Sequence, residues 1–347
     1  SEVERSHEEA AEELEHPALR EIKSSSVGPT VWSEFGILAA KMGATNLGQG
    51  FPNWSPPEFV VAAAHGAITD EFHQYTRMAG HPRLVQLLAK QYSKYLGRDI
   101  DPFAEVGITI GAAEALYVTF QAILSPGDEV VLLEPFFDLY LGQIKLADGE
   151  PVQVPLRVED REWRLDIDAL RRVISSRTRA IIVNTPHNPT GKVFSREELE
   201  MIADVVQENP RMLVISDEVY KYMVYDEVGS PGEGYDKTTE AAHEAMSREN
   251  GRTFTVAVEM GKGRDLLPTV GHVHFATLRG MQDRTISISS AGKTFSVTGW
   301  QVGWVLGPQR VIKEIHTILP YMQFCAATPL QEAMCNVLVQ AERPYEG

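Results

Sequence analysis

A lysine ringed by small residues is the first candidate for chemistry. Lys293 sits in Ser290-Ala291-Gly292-Lys293-Thr294, directly after the alternating run 285–289, which reads as a half-buried strand. Small neighbours leave room for a bulky partner against the amine, as a Schiff-base lysine needs. The same residues also suit a plain turn carrying a solvated lysine, so the rest of the chain has to decide. A phosphate-binding P-loop is the other lookalike, since it too ends in Gly-Lys-Thr. It requires a glycine five positions before Gly292, where Ser287 stands, and is rejected.

Other stretches carry residue types that would complement such a lysine. Gly111-Ala112-Ala113-Glu114 follows a β-branched run and opens a helical pattern. Free amides and the helix dipole would favour a phosphate there. Phe136 and Phe137 follow a second apolar run. A ring there would stack on a flat cofactor, or simply fill a core. Asn184 and Asn188 share one turn with two prolines. Asn188 would donate to a phenolate oxygen, or the turn is merely capped. Asp217 ends the run MLVIS, where a carboxylate must be paired or solvated. Opposite a protonated pyridine nitrogen it would keep the ring cationic, as an electron sink requires. Tyr220 lies one helical turn on and would reach the oxygen of the same ring. Ser289 and Ser290 would hold a phosphate. Singly, each residue has an ordinary structural explanation. Jointly they make a phosphate cradle, a stacking ring, an oxygen donor, a partner for the pyridine nitrogen and a Schiff-base lysine. That set calls for pyridoxal 5′-phosphate (PLP).

The elements that must position these residues alternate along the chain. Strand-like runs are 106–110, 129–133, 151–154, 180–183, 212–215, 285–289 and 302–306. Helical patterns cover 31–41, 58–70, 82–96, 112–124, 136–147, 166–175 and 195–207. Such alternation predicts an α/β fold, a largely parallel sheet with helices on both faces. Ligands of such sheets sit at the carboxyl ends of the strands, and the candidates cluster just after those runs. Residues 1–23 read as a charged arm, 24–29 as a small-residue hinge, and 46–57 as a Gly/Pro-rich loop. Residues 227–271 break the rhythm and read as an insertion.

Composition bounds the function. A formal net charge of −16 disfavours nucleic acid or an anionic membrane as the main partner. No apolar run approaches a membrane span. Two cysteines, Cys325 and Cys335, fit a reducing compartment rather than a disulfide framework. The Glu-rich start is neither a secretory signal nor an Arg-rich transit pattern. The expectation is a cytoplasmic enzyme, with a mitochondrial one as the alternative.

The stretches NLGQGFPNWSPP, QYTRMAGHPRL, EPFFDLY, NTPHNPTGKVF, SDEVYKYMVYD and SSAGKTFSVTGW together resemble fold-type I PLP-dependent aminotransferases. Within them the chain is most similar to the group of kynurenine–oxoglutarate transaminases, glutamine transaminase K and cysteine-S-conjugate β-lyases, with the related methionine aminotransferases. The resemblance runs from about residue 31 to 333, outside the insertion. It implies a three-layer large domain with a mostly parallel seven-stranded sheet over 46–310. Residues 1–45 would form an arm and part of a small domain, and 311–347 linker helices. It implies that Lys293 carries the cofactor and shuttles the proton, that Asp217 pairs with the ring nitrogen and that Phe137 stacks on the ring. Asn188 and Tyr220 would bond the ring oxygen. Ala112, Ala113 and Ser290 would hold the phosphate, joined by Tyr75 from a second subunit of a homodimer with shared active sites. Asn184 and the Gly50 backbone would hold the substrate carboxylate, and Trp32 would shape the side-chain pocket. The implied reaction is transamination between an aromatic, glutamine or sulfur-containing amino acid and a 2-oxo acid. Cysteine-conjugate β-elimination and cofactor binding without turnover are the alternatives. No metal is implied.

Three departures stand out. Gln301 occupies the place, eight residues after the lysine, where the resembled family usually has a cation. Phe324 is followed by Cys325 rather than histidine. The family's arginine for the substrate carboxylate would lie beyond Gly347, so an incomplete small domain is expected.

Overall fold

The computed structural model describes residues 31–45, 47, 48, 50, 54–224 and 272–341, with side chains from Glu34 onward. The N-terminal arm, the hinge, the insertion 227–271 and the side chain of Trp32 lie outside the described residues.

The elements follow the hydrophobic periodicity. Helices α1 (Val31–Met42), α2 (Glu58–Thr69) and α3 (Pro82–Leu96) lead into β1 (Val106–Ile110), α4 (Gly111–Ile123), β2 (Glu129–Glu134) and α5 (Leu139–Leu146). Then come β3 (Glu150–Glu159), β4 (Glu162–Leu165), α6 (Ile167–Val173), β5 (Thr178–Asn184), α7 (Arg196–Glu208) and β6 (Leu213–Asp217). Past the insertion lie β7 (Thr285–Ser290), the short α8 (Ala291–Thr294), β8 (Val302–Leu306), α9 (Gln309–Met322) and α10 (Thr328–Ala341). The start of α7 is fixed by a reciprocal cap, in which Ser195 accepts from the Glu198 amide and the Glu198 side chain accepts from the Ser195 amide. Asp166 caps α6 by accepting from the Ala169 amide at 2.9 Å.

The strands form one sheet in the order β1-β8-β7-β6-β5-β2-β3-β4. Pairings from β7 through β6, β5 and β2 to β3 are parallel, whereas β8 runs antiparallel to both its neighbours. The expected seven strands are all present. An eighth, β4, corrects the count: β3 continues past the sheet edge and folds back at Asp160 and Arg161, both in the left-handed region. Its alternation EWRL is too short to stand out in a sequence.

Successive residues of the central strands face opposite ways. Val130, Leu132, Ala180, Ile182 and Ile215 pack with α4, α5 and α9 on one face. Val131, Leu133, Ile181, Val183 and Val214 pack with α6 and α7 on the other. This is the three-layer α/β arrangement the alternation predicts. A further core joins α2, α3 and α10 to Ile108, Val302 and Trp304 of the sheet. No described helix is long and apolar enough to cross a membrane.

Candidate active site

The carboxyl ends of β1, β2, β5, β6 and β7 meet around one cavity of about 390 Å³. Strand register brings its residues together. Asn184 of β5 stands beside Asp217 of β6, and Asp217 beside Ile288 of β7, two residues before Ser290. Chain direction then turns at Ser290 into α8, which carries Lys293 over the cavity.

Lys293 is half-buried, and its amine donates to the carbonyl of Gly50. It lies 5.8 Å from the centre of the Tyr220 ring. Burial lowers its pKa, because an ammonium loses hydration there. Trp54 donates to Ser296 at 3.2 Å, tying the Gly/Pro-rich loop to the segment just past the lysine.

Asp217 is buried. Its Oδ2 accepts from the Tyr140 hydroxyl at 2.6 Å and its Oδ1 from the Val219 amide at 3.3 Å. Burial pushes the carboxyl up to about 6; the Tyr140 and Val219 bonds oppose that, and the neighbouring Glu218 charge adds to it. The Tyr220 phenol is also raised, by burial first and then by the Asp217 charge, while a hydrogen bond with Asn188 pulls it down. Asn184 spends one N–H on the Asp217 carbonyl at 3.0 Å, and its oxygen accepts from the Asn188 amide at 2.7 Å. Phe137 lines the cavity edge-on to Tyr140, with ring centres 5.7 Å apart.

The opposite end is built from backbone. Helix α4 starts at Gly111, and Ala112 and Ala113 in its first turn face the cavity. Amides in a first turn have no intrahelical acceptor, and they carry the positive end of the helix dipole. This terminus rests directly on β8. The Gly111 amide donates to the Gln301 carbonyl at 2.8 Å. A Cβ on Gly303 would lie 2.3 Å from the Gly111 carbonyl carbon, so only glycine allows the approach.

Of the residues singled out in the sequence, Gly50, Ala112, Ala113, Phe137, Asn184, Asn188, Asp217, Tyr220, Ser290 and Lys293 line this one cavity. Ser289 and Phe136 do not. Ser289 points to the other face of β7, as strand alternation requires, and there accepts from Lys221 at 3.2 Å. Phe136 packs into the core under α4 and α5. Tyr75 lies away from the cavity, 79% exposed, with its ring edge-on to Phe324 at 4.7 Å.

Two groups escaped the sequence reading. Tyr140 sits inside the quoted EPFFDLY stretch, and its contact with Asp217 spans 77 positions, which spacing does not reveal. Behind the cavity wall lies a buried polar cluster. Lys221 donates to Tyr92 at 2.7 Å, and burial lowers its pKa to about 8 against the opposing charge of Glu218. Glu218 accepts from Ser216 at 2.9 Å and lies 2.5 Å from His274 Nδ1. Burial alone would raise its carboxyl, but His274 and His272 outweigh that and hold it well below the ordinary range.

The family model for aminotransferase class I and II matches residues 43–343. The chain is 41% identical to a kynurenine–oxoglutarate transaminase of Dictyostelium discoideum, over 92% of this chain and 67% of that protein. It is 39% identical to kynurenine–oxoglutarate transaminase 1 of Homo sapiens, over 88% of this chain and 65% of that protein. The chain thus spans about two thirds of the length of these relatives. The solved structure of N-succinyldiaminopimelate aminotransferase from Mycobacterium tuberculosis superposes with a TM-score of 0.76 at 35% identity, over 92% of this chain and 72% of that one.

Proposed function

The chain belongs to the aminotransferase class I and II family, and on that premise we propose that its cavity binds PLP and transfers an amino group from an aromatic, glutamine or sulfur-containing L-amino acid to a 2-oxo acid. The observation that carries this reading is the convergence of the Lys293 amine, the buried Asp217 carboxylate and the first turn of α4 on one cavity. The residues present fit the cofactor: an amine of lowered pKa, a buried carboxylate with acceptor capacity left, and an amide terminus for a phosphate.

When bound, PLP supplies an aldehyde that condenses with amines and a pyridinium ring that withdraws electrons from the bond to be broken. Lys293 would hold it covalently. Its desolvated amine keeps a larger neutral fraction at pH 7 than an exposed lysine, which suits a nucleophile and a base. The same amine would serve as the base that takes the proton from the substrate α-carbon and as the acid that gives it back. Asp217 would hold the proton on the ring nitrogen, with Tyr140 fixing the carboxylate. Asn188 and Tyr220 would bond the ring oxygen, and Phe137 would cover one ring face. The Ala112 and Ala113 amides and Ser290 would hold the phosphate.

The remaining N–H of Asn184 and the Gly50 backbone would receive the substrate carboxylate, with Trp32 beside the substrate side chain. The exposed aromatics Tyr75, Tyr321 and Phe324 support a homodimer in which Tyr75 reaches the phosphate of the other subunit. Residues 46–310 would act as the cofactor-binding domain, with 1–45 and 311–347 contributing to a small domain, in a cytoplasmic setting. The transaminases named above as relatives support kynurenine as the first donor to try and 2-oxoglutarate as the acceptor. The test is to incubate the PLP-loaded chain with that pair and with glutamine or methionine, following glutamate or keto-acid formation. Product requiring both substrates supports transamination. Pyruvate and ammonia from a cysteine conjugate, without a 2-oxo acid, would redirect the reading to β-elimination. No product from any donor would overturn it.

A further inference from the structure

The cavity is nearly without charge. Among the described residues lining it, Lys293 is the one cation and Asp217 the one anion. Both belong to the end where the ring would lie. The amide end is formed by Gly111, Ala112, Ala113, Ser290, Thr298 and Gln301, all uncharged.

Gln301 is held in an unusual pose. It follows the short turn Thr298–Trp300 in the left-handed region, at φ 51. Its backbone carbonyl accepts from the Gly111 amide at 2.8 Å. Its side-chain Nε2 donates to the Thr298 carbonyl at 2.6 Å. A carbonyl can only accept, so the amide orientation is fixed by chemistry. The side-chain oxygen is therefore turned toward the start of α4, and a Cβ on Gly111 would come within 2.5 Å of it. At the site best suited to an anion, the Gln301 side chain presents an acceptor and no charge. The protein as a whole, at −16, adds a field that opposes anions.

We propose that Gln301 sets the affinity of this site for a phosphate monoester, making it an uncharged cradle from which the phosphorylated cofactor exchanges readily. This rests on the reading of the cavity as a PLP site. Amide and hydroxyl bonds to an ionised phosphate are already charge-assisted by the anion; a cationic donor would add a direct Coulomb attraction that they lack. Amides and hydroxyls alone would hold the phosphate, but loosely. A cation placed at 301 would sit beside the α4 terminus and strengthen the grip on the phosphate while leaving the ring contacts alone.

The experiment measures dissociation constants by titration calorimetry for pyridoxamine 5′-phosphate and for pyridoxamine. Neither carries the aldehyde, so Lys293 chemistry does not enter. The proteins compared are the natural chain, Gln301→Lys and Gln301→Arg, with circular dichroism to check folding; two cations guard against one that disturbs the turn. The expected result is that either cation tightens the phosphorylated ligand roughly five- to tenfold. The gain should shrink at 0.5 M salt, roughly as screening predicts, and pyridoxamine should be unaffected. If pyridoxamine 5′-phosphate binds but the folded variants leave its constant unchanged or raise it, the proposal is overturned while the cofactor reading stands. If it binds to none of the three, both fall.

Discussion

Two consecutive carboxylates, Asp217 and Glu218, are driven in opposite directions. Both are buried, but Asp217 faces the cavity with only hydroxyl and amide donors, while Glu218 faces His272 and His274. Pairs of acids pushed apart by their surroundings mark a division of labour. Asp217 is the one left able to exchange a proton near neutral pH. Its folded pKa of about 6 lies above the ordinary 3.8, so ionising it costs the folded state. That penalty is absent below about pH 4, grows between 4 and 6, and is full above, at about 3 kcal/mol. Asp217→Asn keeps an acceptor for Tyr140 but turns its amide NH2 toward the Val219 N–H, a cost that does not vary with pH, so the stability of the cofactor-free variant in urea is expected to improve relative to the natural chain as pH rises from 4 to above 6. The same change should slow turnover by roughly 10²–10⁴-fold, since an amide cannot hold the ring nitrogen protonated. Lys293→Ala should fold, lose turnover, and lose the mass increment that borohydride fixes on the loaded protein. Finding that increment on Lys192 or on buried Lys221 would move the cofactor elsewhere.

At the scale of elements, much was legible and the omissions have physical causes. Long periodic segments such as 82–96 and strands such as 302–306 read correctly because burial dictates their pattern. Helix 136–147 shortens to Leu139–Leu146, because the residues before it form a turn at the cavity rim. The sequence placed Lys293, Asp217 and Asn188 after strands, and in this sheet that suffices to bring them into one cavity. It could not supply Tyr140 or the Gln301 pose, because those depend on how the elements meet. The meeting of α4 and β8 is the tightest of these. Gly303→Ala would drive a methyl into the Gly111 backbone, displacing the first turn of α4. Overpacking of this kind costs about 1–3 kcal/mol. We expect that loss in thermal or urea unfolding, together with at least a tenfold weaker constant for pyridoxamine 5′-phosphate, roughly what one lost charge-assisted contact is worth. Unchanged binding would show that the contact can relax.

For the molecule as a whole, the order in which strands are laid down matters as much as their final places. Strands β6 and β7 are partners in the sheet, with Val214 beside Thr285, yet the insertion lies between them in the chain. Pairing them closes a loop of about 70 residues, which would fall to about 26 if 227–271 were removed, and the entropy of closure falls with it by roughly 0.9 kcal/mol. Deleting 227–271 and joining Asp226 to His272 is expected to leave the sheet register and ligand binding intact. Loss of binding or of folding in this variant would make the insertion integral to the sheet. The adjacency of β6 and β7 also has a meaning in time. Asp217 and Lys293 come from the two sides of that long-range pairing, and Gly111 and Gln301 flank the still longer-range pairing of β1 with β8, so the cavity is expected to mature late during refolding. Stopped-flow refolding should show helical signal returning before competence to bind pyridoxamine 5′-phosphate, and the shortened chain should close that delay by up to about fourfold.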